Sequence, residues 1–183
     1  MQHKKTKKLA TLGMLAAISI VLVSLIHFPI FPAVPFLEFD PADIPIFIGT
    51  FAFGPIWGLI LTAVVSVIQG VTVSSASGIY GIIMHFAATG AFVIVAGCIY
   101  RGHKTRRAAL VSLGFGTLSM TLAMIALNLL ITPYFMNVPR SVVVNLMPFI
   151  VLFNVVKAGI NSLITLFVYK SIHRLILSFT DKS

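Results

Sequence analysis

Three polar residues interrupt an apolar stretch late in the chain: Asn154, Lys157 and Asn161, in the run Asn154-Val-Val-Lys157-Ala-Gly-Ile-Asn161. Lys157 is the only formal charge well inside one of the long apolar segments. A charge at the centre of a bilayer costs about 2.5–3.5 kcal/mol on insertion-derived scales, so a lysine kept there points to a functional site where something polar meets it. The spacing i, i+3, i+7 puts the three side chains on one face of a helix. Two readings stand: the face lines a cavity, or Lys157 snorkels to a nearby membrane surface while the asparagines bond helix to helix. Asn128, near the outer end of the preceding apolar segment, lies at comparable depth and can converge with Asn154 and Lys157. The chemistry of such a set is recognition. An asparagine amide presents a donor and an acceptor side by side, matching a planar heterocycle edge that alternates N–H and C=O, and lysine adds a donor for a carbonyl or hydroxyl. A small, flat, polar-edged ligand entering from outside fits it.

The elements that must position these residues follow from composition. With 58% hydrophobic and 9% charged residues and a mean hydropathy of +1.06, the chain departs from soluble domains, which carry about 25% charged residues. It reads as an all-α integral membrane protein. The 183 residues hold five or six spans of about 20 residues each and form one polytopic domain, 1–183. The net charge of +9 is gathered in short clusters at the ends of apolar runs. These are topology signals, and no nucleic-acid partner is expected. The single cysteine, Cys98, rules out an internal disulfide, and no Cys/His spacing suits a metal.

Six spans are predicted, at about 9–28, 44–53, 55–72, 79–100, 108–131 and 148–172, behind a basic tail of residues 1–8. The second is short, about 15 Å at 1.5 Å per residue, so it is tilted into protein or crosses only partly. Ile44 to Thr72 is one hydropathic block, and the break at Gly54-Pro55 is chosen because it brings Arg101, Lys104, Arg106 and Arg107 to the cytoplasmic side. Both termini are then cytoplasmic, and of the 13 Lys/Arg all but Arg140 and Lys157 lie inside. Residues 29–43, with four prolines and three of the four acids, form the first outer loop. Its apolar residues either dip against the bundle to cover a site or form an interfacial aromatic belt of Phe28, Phe31, Phe36 and Phe39. Residues 72–78 and 133–147 are the other outer loops.

Other chemistries lack their residues. There is no Walker A pattern, and Gly114-Phe115-Gly116 reads as helix packing. No GxSxG elbow occurs, the acids cluster in one loop, and His27 and His85 are read as solitary, hydrogen-bonded packing residues. Glu38, Asp40 and Asp43 lack EF-hand spacing and are expected to cap the helix starting near Ile44, Asp43 foremost. No metal and no cofactor are expected. Gly13 and Ala17 form a small-xxx-small pair that lets a helix approach closely, inside the bundle or on a partner. An alternative of another class is a small membrane enzyme using Lys157 as base or nucleophile; no second catalytic group supports it.

The run Phe36-Leu37-Glu38-Phe39-Asp40-Pro41-Ala42-Asp43-Ile44-Pro45, continuing through Ile48-Gly49-Thr50-Phe51-Ala52-Phe53-Gly54-Pro55, resembles the first outer loop and short second helix of the riboflavin-specific S components of energy-coupling factor (ECF) transporters. The resemblance extends over nearly the whole chain, through the lysine-rich start, Gly13-x-x-x-Ala17, Asn128-Leu-Leu-Ile-Thr-Pro133 and Asn154-x-x-Lys157. It implies a six-helix subunit of the bacterial cell membrane that captures riboflavin from outside and works with a transmembrane coupling (T) protein and two ATPases, which use the ATP. It also implies that Asn128, Asn154 and Lys157 contact the ligand and that Leu37, Phe39 and Asp40 belong to the loop covering it. Gly13 and Ala17 would form the T-protein docking motif, with Gly13 replacing the family's first alanine. Another vitamin or the nucleotide FMN on the same fold is the alternative ligand.

Overall fold

A computed structural model describes residues 2–180, with side chains described for 5–168. The tail cations Lys170, Arg174 and Lys182, and Lys4, therefore have side chains outside the described residues. The structure is nearly all helical: α1 (Gln2–Leu25), α2 (Asp43–Phe53), α3 (Pro55–Val71), α4 (Gly78–Gly102), α5 (Arg106–Met136) and α6 (Arg140–Thr180). Two-residue strands β1 (Phe28–Pro29) and β2 (Glu38–Phe39) pair antiparallel, Phe28 opposite Phe39, and a 3-10 turn, Ser75–Ser77, precedes α4. Four stretches, Lys5–Leu25, Ser75–Gly102, Arg106–Met136 and Arg140–Val168, are long and apolar enough to cross a membrane. Outward residues such as Val21, Ile60, Phe115, Leu130 and Phe167 are exposed, as expected of a surface solvated by lipid.

The block from Ile44 to Thr72 is broken where its punctuation lies. Gly54 has φ +91°, a conformation glycine takes without a Cβ penalty. Pro55 opens α3, where its missing N–H has no intrahelical partner to lose. The 11-residue α2 is the inner element of the bundle. It packs against α1, α3, α4 and α6 and buries Ile46, Phe47, Thr50 and Phe51 among others. The Phe47 and Phe92 rings stack at 3.7 Å and 7°. Gly116 makes room for that stack, since a Cβ there would come within 2.9 Å of the Phe92 ring. Helix packing is therefore what this glycine does.

The sequence reading ends α5 at Thr132-Pro133 and starts the next helix at Pro148, but both prolines lie inside helices. A proline removes one backbone donor, and apolar surroundings leave the rest of the chain no better option than continuing its own hydrogen bonds. α5 instead ends at Asn137 in the left-handed conformation (φ 52°, ψ 47°), whose N–H reaches the Pro133 carbonyl. The third loop thus shrinks from residues 133–147 to 137–139. Lys157 consequently lies 17 residues after Arg140, about 25 Å along α6.

Candidate ligand cavity

The first loop folds back onto the bundle. Val34, Leu37 and Phe39 are buried while Phe28 is half exposed, so the loop seals the helices more than it girdles them. Turns at Phe31–Val34 and Val34–Leu37 (N···O 3.0 Å each) shape it. Asp40, too, is almost fully buried. Lys157 Nζ donates to Asp40 Oδ2 at 2.7 Å and to the Glu38 carbonyl at 3.4 Å. Asn161 Nδ2 donates to the Asp40 carbonyl at 3.0 Å, and Ser19 Oγ donates to the Ala42 carbonyl at 2.9 Å. The lysine does not snorkel: a carboxylate is brought down to it, as a buried charge requires.

Asp40 and Lys157 line a cavity between the loop, α1, α3, α4, α5 and α6. It offers about 130 Å³ to the centres of water-sized molecules, several times the roughly 10–15 Å³ that one water needs. A small ligand is therefore the expected scale of occupant. Leu37 and Asn154 also line it, and Asn154 Nδ2 donates to the Ile150 carbonyl at 2.8 Å. Asn128 is not among the lining residues. Fully buried, it donates to the Met124 carbonyl and accepts from the Thr132 hydroxyl, both at 2.8 Å; Met124 and Thr132, one turn to either side, form the wall. Phe39 lies behind the lining, its ring 5.6 Å from that of Phe28. Gly13 and Ala17 are exposed on α1, away from the cavity.

Asp43 does not cap α2. The cap position is Ala42, with no side-chain cap bond, and it is Asp40 Oδ1 that accepts the Ala42 N–H at 3.0 Å. Asp43, inside the first turn, points into the bundle and accepts from Thr89 Oγ1 at 3.0 Å and His85 Nε2 at 3.3 Å. His85 Nδ1 in turn meets Ser66 Oγ at 2.8 Å. Serine, histidine and aspartate thus do converge: the acids cluster in one stretch and His85 is hydrogen-bonded, both as expected, but His85 is not solitary. Their order on the ring is the reverse of a serine hydrolase, where Nε2 faces the serine. His27 is hydrogen-bonded as expected, through Nδ1 to the Val23 carbonyl, but it is exposed and stands at the cavity lining, where the sequence reading makes it a packing residue.

Sequence reasoning missed the polar groups that α3 and the turn after it contribute. Ser66, Gln69 and Ser74 line the cavity with His85 and Tyr80, and Gln69 Oε1 is buried without a hydrogen-bond partner. The signal was available: Thr62, Ser66 and Gln69 stand at i, i+4, i+7 in an apolar helix, which puts them on one face just as i, i+3, i+7 does for Asn154, Lys157 and Asn161. Among the described residues no three His, Cys, Asp or Glu are grouped to hold a metal ion.

A helical membrane bundle with a small, mostly apolar cavity that carries a few polar groups, Asn154, Lys157 and Ser66 among them, under a folded-back loop defines a binding subunit for small molecules. A family profile described as "ECF transporter, substrate-specific component" matches residues 7–169, and the chain belongs to that family. It is similar to the riboflavin transporter FmnP of Bacillus subtilis (strain 168), with 32% identity over 142 residues, covering 70% of this chain and 75% of that protein. It also superposes on the solved S component of a bacterial ECF transporter with a TM-score of 0.80 and 27% identity, over 94% of this chain and 98% of the other. This is a component of membrane transport, not an enzyme.

Proposed function

We propose that the chain is the riboflavin-capturing subunit of an ECF importer. The observation that carries the proposal is the buried Lys157 on the wall of a cavity closed by the loop of Asp40. Nearby, Asn154 and the unpartnered Gln69 Oε1 provide amide chemistry suited to a ring edge of alternating N–H and C=O. The similarity to a protein named a riboflavin transporter supports the choice of vitamin. Asn154 and Lys157 contact the ligand, Leu37, Phe39 and Asp40 belong to its cover, and Asn128 reaches it by exchanging its helix-internal bonds for ligand bonds.

In this reading all six helices belong to the membrane domain, with both termini cytoplasmic in a bacterial plasma membrane. Lys8, whose Nζ lies 4.0 Å from the Trp57 ring centroid, shares one end of the bundle with Arg101 and Lys104, as the positive-inside rule requires of an inner face. The exposed Gly13–Ala17 face of α1 docks the T protein, and two ATPases drive uptake. Titrating the purified protein with riboflavin, FMN and thiamine, read by quenching of flavin fluorescence and by competition, tests the ligand. Tight riboflavin binding that thiamine does not displace is expected. Absence of any flavin binding overturns the proposal, and a marked preference for FMN reassigns the ligand within the same fold.

A further inference from the structure

A second cavity lies at the opposite end of α2, where Gly54 turns the chain into α3. It offers about 300 Å³ to the centres of water-sized molecules and is lined by Phe53, Trp57, Tyr100, Arg101 and Lys104 among others. Lys8 closes its rim, with Nζ 4.0 Å from the Trp57 ring centroid and 5.4 Å from that of Phe53. Among the described residues no Asp or Glu lines it. The three acids among the described residues, Glu38, Asp40 and Asp43, sit at the far end of α2, about 15 Å away along its 11 residues.

We propose that this cavity binds the phosphate headgroup of an anionic phospholipid. An arginine fork and a lysine at the rim of aromatic walls make a phosphate site, and basic pockets between transmembrane helices on the cytoplasmic side suit acidic lipid headgroups. The start of α3, where the N-cap Gly54 has no side chain to satisfy the first amides, adds a favourable dipole. What selects a lipid over a soluble anion is the surface leading away from the cavity. Ile56, Ile60 and Val64 follow one another at i, i+4 and i+8 on α3 and are 68%, 47% and 43% exposed, so they form an apolar track for an acyl chain. The site is separate from the flavin cavity, and its test needs no flavin.

Trp57 is the only tryptophan of the chain, so its fluorescence reports this cavity alone. The full chain is reconstituted in phosphatidylcholine vesicles containing the same small mole fraction of dibrominated phosphatidylglycerol or dibrominated phosphatidylcholine. Bromine on the anionic lipid is expected to quench Trp57 preferentially, with a relative affinity of about fivefold for each cation engaged. The preference should fall with salt and vanish in R101Q/K104Q, while the charge-preserving R101K/K104R retains it. Equal quenching by the two lipids overturns the proposal and leaves the basic cavity to a protein partner. A wild-type preference insensitive to salt overturns it too, and decides the matter if R101Q/K104Q does not insert. A preference abolished by inorganic phosphate at unchanged ionic strength assigns a soluble phosphate and also overturns the lipid.

Discussion

Replacing Lys157 by methionine removes the ammonium and keeps most of the side chain's volume, so it isolates the charge. Its partner Asp40 is 2.7 Å away, and the two side chains are 9% and 4% exposed. Removing one member of such a pair costs about 3–5 kcal/mol when the survivor stays buried. Asp40 need not stay buried. It belongs to a loop held otherwise by the Asn161 and Ser19 hydrogen bonds and by Val34, Leu37 and Phe39, and ordering that loop costs backbone entropy of about 1–2 kcal/mol per residue. The expected escape is release of the loop, with α1–α6 still packed. Loss of one hydrogen bond from a charged donor to the ligand, about 1.5–3 kcal/mol, lowers flavin affinity by roughly 10- to 150-fold. Loop release adds faster dissociation. Stopped-flow flavin release and limited proteolysis within residues 29–42 measure the two effects. A cycle with Asp40→Asn separates the pair from the ligand contact: in flavin-free protein the two substitutions should couple by about 0.5–3 kcal/mol in thermal stability. Wild-type affinity, off-rate and protease resistance in K157M, or strict additivity with D40N, would refute the idea that the Lys157–Asp40 pair holds the loop down.

Further outcomes follow from other buried groups. Asp43→Ala leaves the Thr89 hydroxyl and His85 without their acceptor and should destabilise by about 1–3 kcal/mol, whereas Asp43→Asn keeps an oxygen in place and should cost less; equal melting temperatures for the two variants would contradict this. Gly116→Val forces methyl groups into the Phe92 ring and should cost about 1–3 kcal/mol through overpacking, read as a lower melting temperature in detergent. Gln69→Leu, in the cavity lining, removes a buried amide oxygen that has no hydrogen-bond partner, together with the long 3.4 Å bond from Nε2 to Ser74 Oγ. It should leave the ligand-free protein as stable as wild type or more so, yet weaken flavin binding; unchanged binding would take Gln69 out of the site. Ala17→Trp on the exposed face of α1 should abolish co-purification with the T protein while flavin affinity stays within about twofold, since the substitution lies outside the cavity.

Legibility in the sequence tracked how local each determinant is. That the long block is broken at all rested on the charge bias of Arg101–Arg107, but where it breaks was local, because φ > 0 and a missing N–H are properties of Gly54 and Pro55 themselves. Lys157 stood out because one charge in an apolar run is visible without a partner. The partner was not visible: Asp40 is 117 residues away, and nothing in either local pattern reports the pairing. The same holds for Asp43, His85 and Ser66, each unremarkable alone and joined only by the packing of α2, α3 and α4. Pro133 and Pro148 misled because rules for proline weigh its lost hydrogen bond against water, and no water competes beside an apolar helix.

The shortness of α2 ties these features together. Its 11 residues rise about 16 Å, roughly half of a 30 Å hydrocarbon layer. Measured from the end where Lys8, Arg101 and Lys104 gather, Asp43 is therefore near the middle of the bundle. A chain that starts a helix at that depth must descend to it, so the loop from Phe28 to Ala42 carries backbone polar groups below the level of the surrounding helix ends. Non-helical backbone there is tolerable only against protein or a polar cavity, and α6 supplies both needs. Lys157 and Asn161 take up the Asp40 carboxylate and the carbonyls of Glu38 and Asp40. Lengthening α2 by one turn at its Gly54 end should lift the loop by about 5.4 Å and separate Asp40 from Lys157 altogether. Such an insertion, made between Phe53 and Gly54, is expected to abolish flavin binding even where circular dichroism shows the helices intact. Retained binding would mean that the loop, not the helix, sets the depth of the site.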